Sequence, residues 1–162
     1  MGKIYNFVLN SQIASTTATN TVGEKFFIDW SQIENTPYKV TFSFMSANQV
    51  STNAQVANIY CDLGQGATTT MVGSGFPAGT NSDFGFRSGF LGNLEVRSYT
   101  NSTPTSGSYL YASTTTNPPI YILNRPQNNY VFIEIHQSLE TQFTNYSPIP
   151  AMYSMILSFE SC

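Results

Sequence analysis

The sequence predicts an all-β chain, an antiparallel two-sheet sandwich, on three observations. Apolar and polar residues alternate at a period of two in run after run, the spacing of strands with one buried face. Aromatic residues, 12 Phe, 10 Tyr and 1 Trp, supply large faces that suit strands better than helices. Pro, Asn, Gly and Ser cluster between the alternating runs, where they mark turns, and a helical pattern is confined to one turn at Ser138 to Phe143.

Taken in order, Lys3 to Leu9 is the first strand candidate, followed by a Ser/Thr/Asn-rich connection from Asn10 to Thr21. Glu24 to Trp30 alternates with Phe26, Ile28 and Trp30 on one side, and Asn35 and Pro37 then turn the chain. Tyr38 to Met45 is the cleanest alternation, with Tyr38, Val40, Phe42 and Phe44 set against Lys39, Thr41, Ser43 and Met45. Val56 to Leu63 puts Ala57, Ile59, Cys61 and Leu63 on one face. Composition then changes: eight of the 11 glycines fall between Gly64 and Gly92. Glycine weakens strands and marks bends, so 64–92 reads as a long Gly-rich insertion with one short strand at Thr69 to Val72.

Beyond it, Asn93 to Tyr99 and Tyr109 to Ala112 are short strands, and Pro118-Pro119 marks where the next begins, because proline has no amide hydrogen for a ladder. Ile120 to Leu123 pairs after it. Asn124-Arg125-Pro126-Gln127-Asn128-Asn129 is a corner, Arg125 being pushed toward extended geometry by the proline that follows it. From Tyr130, Val131, Ile133 and Ile135 face one way and Tyr130, Phe132, Glu134 and His136 the other. Ala151 to Phe159 closes the pattern with Tyr153, Met155, Leu157 and Phe159 on one face. The buried core is expected to hold Val40, Phe42, Phe44, Val131, Ile133, Ile135, Leu157 and Phe159. Eight to ten strands with no repeat and no domain boundary, joined by long connections, predict a single jelly-roll domain over 1–162; a propeller would repeat and a lipocalin-like barrel would use shorter hairpins.

The stretch Asn117 to His136, with its Pro-Pro, apolar strand, Arg-Pro corner and Val/Ile alternation, resembles the C-terminal half of small jelly-roll capsid proteins of large icosahedral double-stranded DNA viruses and virophages. Phe7-Val8-Leu9-Asn10-Ser11, Phe27-Ile28-Asp29-Trp30-Ser31 and Tyr38 to Phe44 are similar to the front half of the same group. The resemblance implies a structural role in the virion as a minor capsid or penton component, synthesised and assembled in the host cytoplasm. Its implied partners are the major capsid protein and other capsid subunits, with a homo-oligomer, pentamer or trimer, as a further expectation. Virophage pentons that share these motifs tend to be longer, with inserted domains that this chain lacks.

Charge is sparse: Asp, Glu, Lys and Arg make up 9% of the residues, against about 25% in an ordinary soluble domain. A surface of Ser, Thr, Asn, Gln and Tyr suits close packing against neighbours, and it equally suits an extracellular β-domain. A net charge of −3 without a basic run predicts no direct nucleic-acid binding. No apolar run approaches a membrane span, and Met1 to Leu9 is too short and polar for a signal peptide. Cys61 and Cys162 are too few for a disulfide framework and are expected to be free.

Catalytic and ligand-binding groups are few. One His, nine carboxylates and two Cys offer no metal-ligand spacing, and the two glycine motifs at 64–66 and 73–75 lack the Lys-Ser/Thr and helix of a phosphate cradle. Asp29, Asp62 and Asp83 stand too far apart for a calcium loop. No catalytic, cofactor or metal residue is therefore assigned. The expected assembly interface comprises Phe84, Phe86 and Phe90 of the Gly-rich segment, which share parity, together with Arg125, Tyr130, Phe132 and His136. Arg125 either satisfies carbonyls or a carboxylate in its corner or reaches a neighbouring subunit. The competing expectation is a ligand-binding jelly roll, a lectin or trimeric head domain, which would bring an aromatic and several carboxylates or amides together at one end.

Overall fold

Alternation decides which face each strand buries, and the ladders between strands decide the architecture. A computed structural model of the chain describes residues 2–11, 23–46, 56–64, 89–99, 108–138 and 153–162. Nine strands form within them: β1 Ile4–Asn10, β2 Gly23–Phe27, β3 Tyr38–Ser46, β4 Val56–Cys61, β5 Phe90–Tyr99, β6 Ser108–Ser113, β7 Ile120–Ile122, β8 Tyr130–Ser138 and β9 Tyr153–Ser161. A 3-10 turn, Trp30–Gln32, separates β2 from β3, and Asp29 caps it by accepting from the Ser31 amide at 3.0 Å. Those two hydrogen-bond donors, Ser31 and Gln32, hold the exposed Asp29 carboxyl below its ordinary pKa.

Every ladder is antiparallel. The pairing runs β1-β9-β3-β6 and, in the second sheet, β2-β8-β4-β5, the two sheets meeting where β5 and β6 pair as a hairpin. β7 takes up the line of β6 along β3, pairing Val40 with Ile120 and Tyr38 with Ile122, after the gap that Pro118 and Pro119 impose. With β6 and β7 counted as one interrupted strand, this is jelly-roll order: each sheet mixes strands from the front and back of the chain. On the side away from the hairpin, β1 and β2 each pair on one side only among the described residues, leaving a groove of about 400 Å³ between them.

The hairpin side is sewn by serines. Phe44 N donates to Ser113 Oγ at 3.0 Å, and Tyr111 N donates to Ser46 Oγ at 2.8 Å, so hydroxyls stand in where main-chain pairing between β3 and β6 is thin. In β5, Leu91 is bulged out opposite the Ile59–Tyr60 step. Next to it the Asn117 amide clamps the Asn93 main chain from both sides, at 2.9 Å each, and occupies the place where a Cβ on Gly92 would stand.

The inner faces match the alternation. Val40, Phe44, Val131, Ile133, Ile135, Leu157 and Phe159 are all buried. Phe159 has edge or tilted ring contacts with Phe7, Trp30 and Tyr38 at 5.3–5.8 Å, and at the other end Tyr153 stacks on Phe44 at 5.0 Å.

Three expectations are corrected. Phe42 has the inward parity of β3 but is only half-buried, packed against the margin of the core. Phe90 does not belong to the insertion: β5 begins there, three residues before the expected start at Asn93, because Phe90 pairs with Tyr60 of β4. Ser138 ends β8 rather than opening a helical turn. Glu24, which shares parity with Phe26, is buried with it at 5% exposure. Thr69 to Val72 and 139–143 lie outside the described residues.

Candidate assembly surface

Parity that turns Phe26, Val131 and Ile133 inward must turn their neighbours outward. On the outer face of β2 and β8, Phe27 stands opposite Tyr130 and Lys25 opposite Phe132. Phe27, Tyr130 and Phe132 are 56%, 46% and 41% exposed, an aromatic strip on the margin of the second sheet. The strip is ordered internally: the Phe27 and Tyr130 rings meet edge-on at 5.5 Å, and Lys25 Nζ sits 4.2 Å above the Tyr130 ring. The outer face of the first sheet carries a second apolar pair, Val8 opposite Ile156, with Met45 beyond it.

Arg125 has its role within the chain. Its Nη1 donates to the carbonyl oxygens of Ile33 at 2.9 Å and Trp30 at 3.4 Å, capping the 3-10 turn from the facing connection. Trp30 returns the link by donating from Nε1 to the Asn128 oxygen at 2.9 Å. Phe90 is half-buried and meets Tyr60 edge-on at 5.5 Å. On β8 the main chain of His136 pairs with Asn58 of β4, but the His136 side chain, like the whole of Phe84 and Phe86, lies outside the described residues.

The structure thus brings Tyr130 and Phe132 together with two residues the expected interface omitted, Lys25 and Phe27. Their signal was available: Phe27 has the parity opposite to Phe26 and Ile28, which makes it an outward aromatic as soon as those two are placed inside. Val8 and Ile156 carry no comparable signal, because apolar residues occupy both faces of their strands.

Among the described residues, Glu24 and Tyr153 form a polar cluster inside the sandwich. Glu24 Oε2 and the Tyr153 hydroxyl are buried without a hydrogen-bond partner among the described residues. Burial holds the Glu24 carboxyl above its ordinary pKa, opposed by the nearby Tyr153 hydroxyl, and burial likewise raises the Tyr153 phenol. Cys61 is buried, its thiol pushed up first by burial and then by Asp62, so it is a poor nucleophile. Among the described residues no three His, Cys, Asp or Glu side chains converge, and no helix is long and apolar enough to cross a membrane. Comparison with protein-family models, curated proteins and solved structures gives no match for this chain.

Proposed function

We propose that the chain is a structural component of an icosahedral virus capsid, a minor capsid or penton-type subunit of a double-stranded DNA virus that acts through protein–protein contacts rather than catalysis. The observation that carries this reading is a jelly roll whose outer sheet face presents uncharged aromatic rings, Phe27, Tyr130 and Phe132, at its margin. Exposed aromatics with few charges around them have the composition of an interface centre. The partners of that face are the major capsid protein and neighbouring capsid subunits, and its location is the virion.

Phe27→Glu tests the reading, because it puts a charge in the strip while altering no core residue. The variant should fold with a melting temperature close to wild type and should fail to enter particles, whereas peptides of the wild-type chain should appear in purified virions by mass spectrometry. Absence of the wild-type chain from virions, or full incorporation of the variant, would refute the reading.

A further inference from the structure

Three connections meet at the end of the sandwich where β4 finishes and β3 and β8 begin, and they enclose a cleft of about 700 Å³. That volume is within the range of small-ligand sites, roughly 300–1,000 Å³. One wall is apolar: Tyr130 and Phe132, two residues apart on β8 and therefore on one face, stand beside Leu63 and Pro126. The cleft is also lined by Asn35 from the β2–β3 connection, Asp62 just past the end of β4 and Asn124 from the β7–β8 corner.

These polar groups have capacity to bind. Asp62 Oδ1 accepts from the Gly64 amide at 2.9 Å, which fixes the carboxylate and leaves Oδ2 without a hydrogen-bond partner among the described residues. The side-chain amides of Asn35 and Asn124 make no hydrogen bond among the described residues. Each amide offers both a donor and an acceptor, and the carboxylate offers acceptors only. Hydroxyl groups, which donate and accept at once, match that set. The exposed Phe132 ring in turn matches a ligand face made of C–H groups, whose partial positive charge meets the negative face of the ring.

Charge narrows the class. Arg125 is the one cation among the lining residues, and its Nη1 is committed to the Ile33 and Trp30 carbonyls, while Asp62 repels an anion. The formal charges of the described lining residues therefore cancel, and neither an anionic nor a cationic ligand finds net counter-charge there.

We propose that this cleft is a binding site for a neutral oligosaccharide, with Phe132 carrying the apolar ring face of a sugar, Tyr130 beside it, and Asp62, Asn35 and Asn124 taking its hydroxyls. The cleft shares Tyr130 and Phe132 with the proposed assembly strip, so a sugar and a capsid neighbour compete for that edge, and the test uses the free protein.

The test is an array of immobilised oligosaccharides, neutral ones ending in hexoses or N-acetylhexosamines beside sialylated and sulfated ones, followed by calorimetric titration of the best neutral binder in solution. The expected result is binding to at least one neutral class. Asp62→Asn, which keeps the bond to Gly64, and Phe132→Ala should each weaken it by roughly tenfold or more, with unchanged circular dichroism and melting. Val8→Glu, on the opposite sheet, should leave it within about twofold. Binding to no neutral glycan by protein that melts cooperatively would overturn the proposal. So would binding confined to sialylated or sulfated glycans, or neutral binding that neither cleft variant alters. Asp62→Asn lies outside the aromatic strip and Phe27 outside the cleft lining, so loss of glycan binding and loss of particle entry are read separately.

Discussion

Trp30 and Asn128 are 98 positions apart, and the indole Nε1 of the first donates to the main-chain oxygen of the second at 2.9 Å. With the two carbonyls that Arg125 Nη1 caps at Ile33 and Trp30, this bond ties the β2–β3 connection to the β7–β8 corner and so sets the width of the cleft between them. Arg125→Ala leaves part-buried carbonyls without their donor and is expected to cost about 1–3 kcal/mol. Urea melts measure it, and a change under half that range would mean solvent replaces the guanidinium.

Phe159 is the hub of the aromatic core, fully buried and in ring contact with Phe7, Trp30 and Tyr38. Phe159→Ala should destabilise by about 3–5 kcal/mol, the range for a large cavity in a packed core. Phe42→Ala, at a half-buried position, should cost less, roughly 1–2 kcal/mol by the area it removes from water. The order of the two in denaturant titrations is the check; equal losses would place Phe42 as deep as Phe159.

Glu24 gives stability a pH dependence of determinate sign. Its folded-state pKa lies above the ordinary 4.5 because burial disfavours the carboxylate. The neutral acid is the form that fits, so its contribution is fully present below about pH 4.5 and is lost as pH rises through the raised folded value. Glu24→Gln removes that titration. The variant should gain on wild type as pH rises from 4.5 toward neutrality and show no gain below it. Parallel melts of both proteins across this window decide it, and a difference that stays flat with pH would show that Glu24 ionises at no cost.

Both cysteines are free, Cys61 buried and Cys162 exposed. With a thiol reagent the native protein should label once, quickly, at Cys162, and at Cys61 only on unfolding, since burial disfavours the thiolate. Thermal melts with and without reductant should overlay. Rapid double labelling, or a melt lowered by reductant, would contradict the arrangement.

Period-two alternation is a local property, and it made much of this protein legible from its residues. Tyr38, Val40 and Phe44, then Val131, Ile133 and Ile135, then Tyr153 to Phe159 all bury the face their spacing assigned, because successive side chains on a strand must point to opposite sides. Prolines 118 and 119 foretold the break between β6 and β7 for an equally local reason, the missing amide hydrogen. Even the burial of Glu24 was written in its parity with Phe26; carboxylate chemistry argued the other way, and packing prevailed.

Partner choice is not local. Ile4 finds Glu160 and Phe27 finds Tyr130 through ladders whose energy comes from residues more than a hundred positions apart, so no window of sequence contains it. The cleft depends on it entirely. Asn35, Asp62, Asn124 and Phe132 carry no mutual spacing, and they line one cavity only because β3, β4 and β8 bring three connections to the same end of the sandwich. Spacing is inherited from the backbone, whereas convergence is a product of the whole fold.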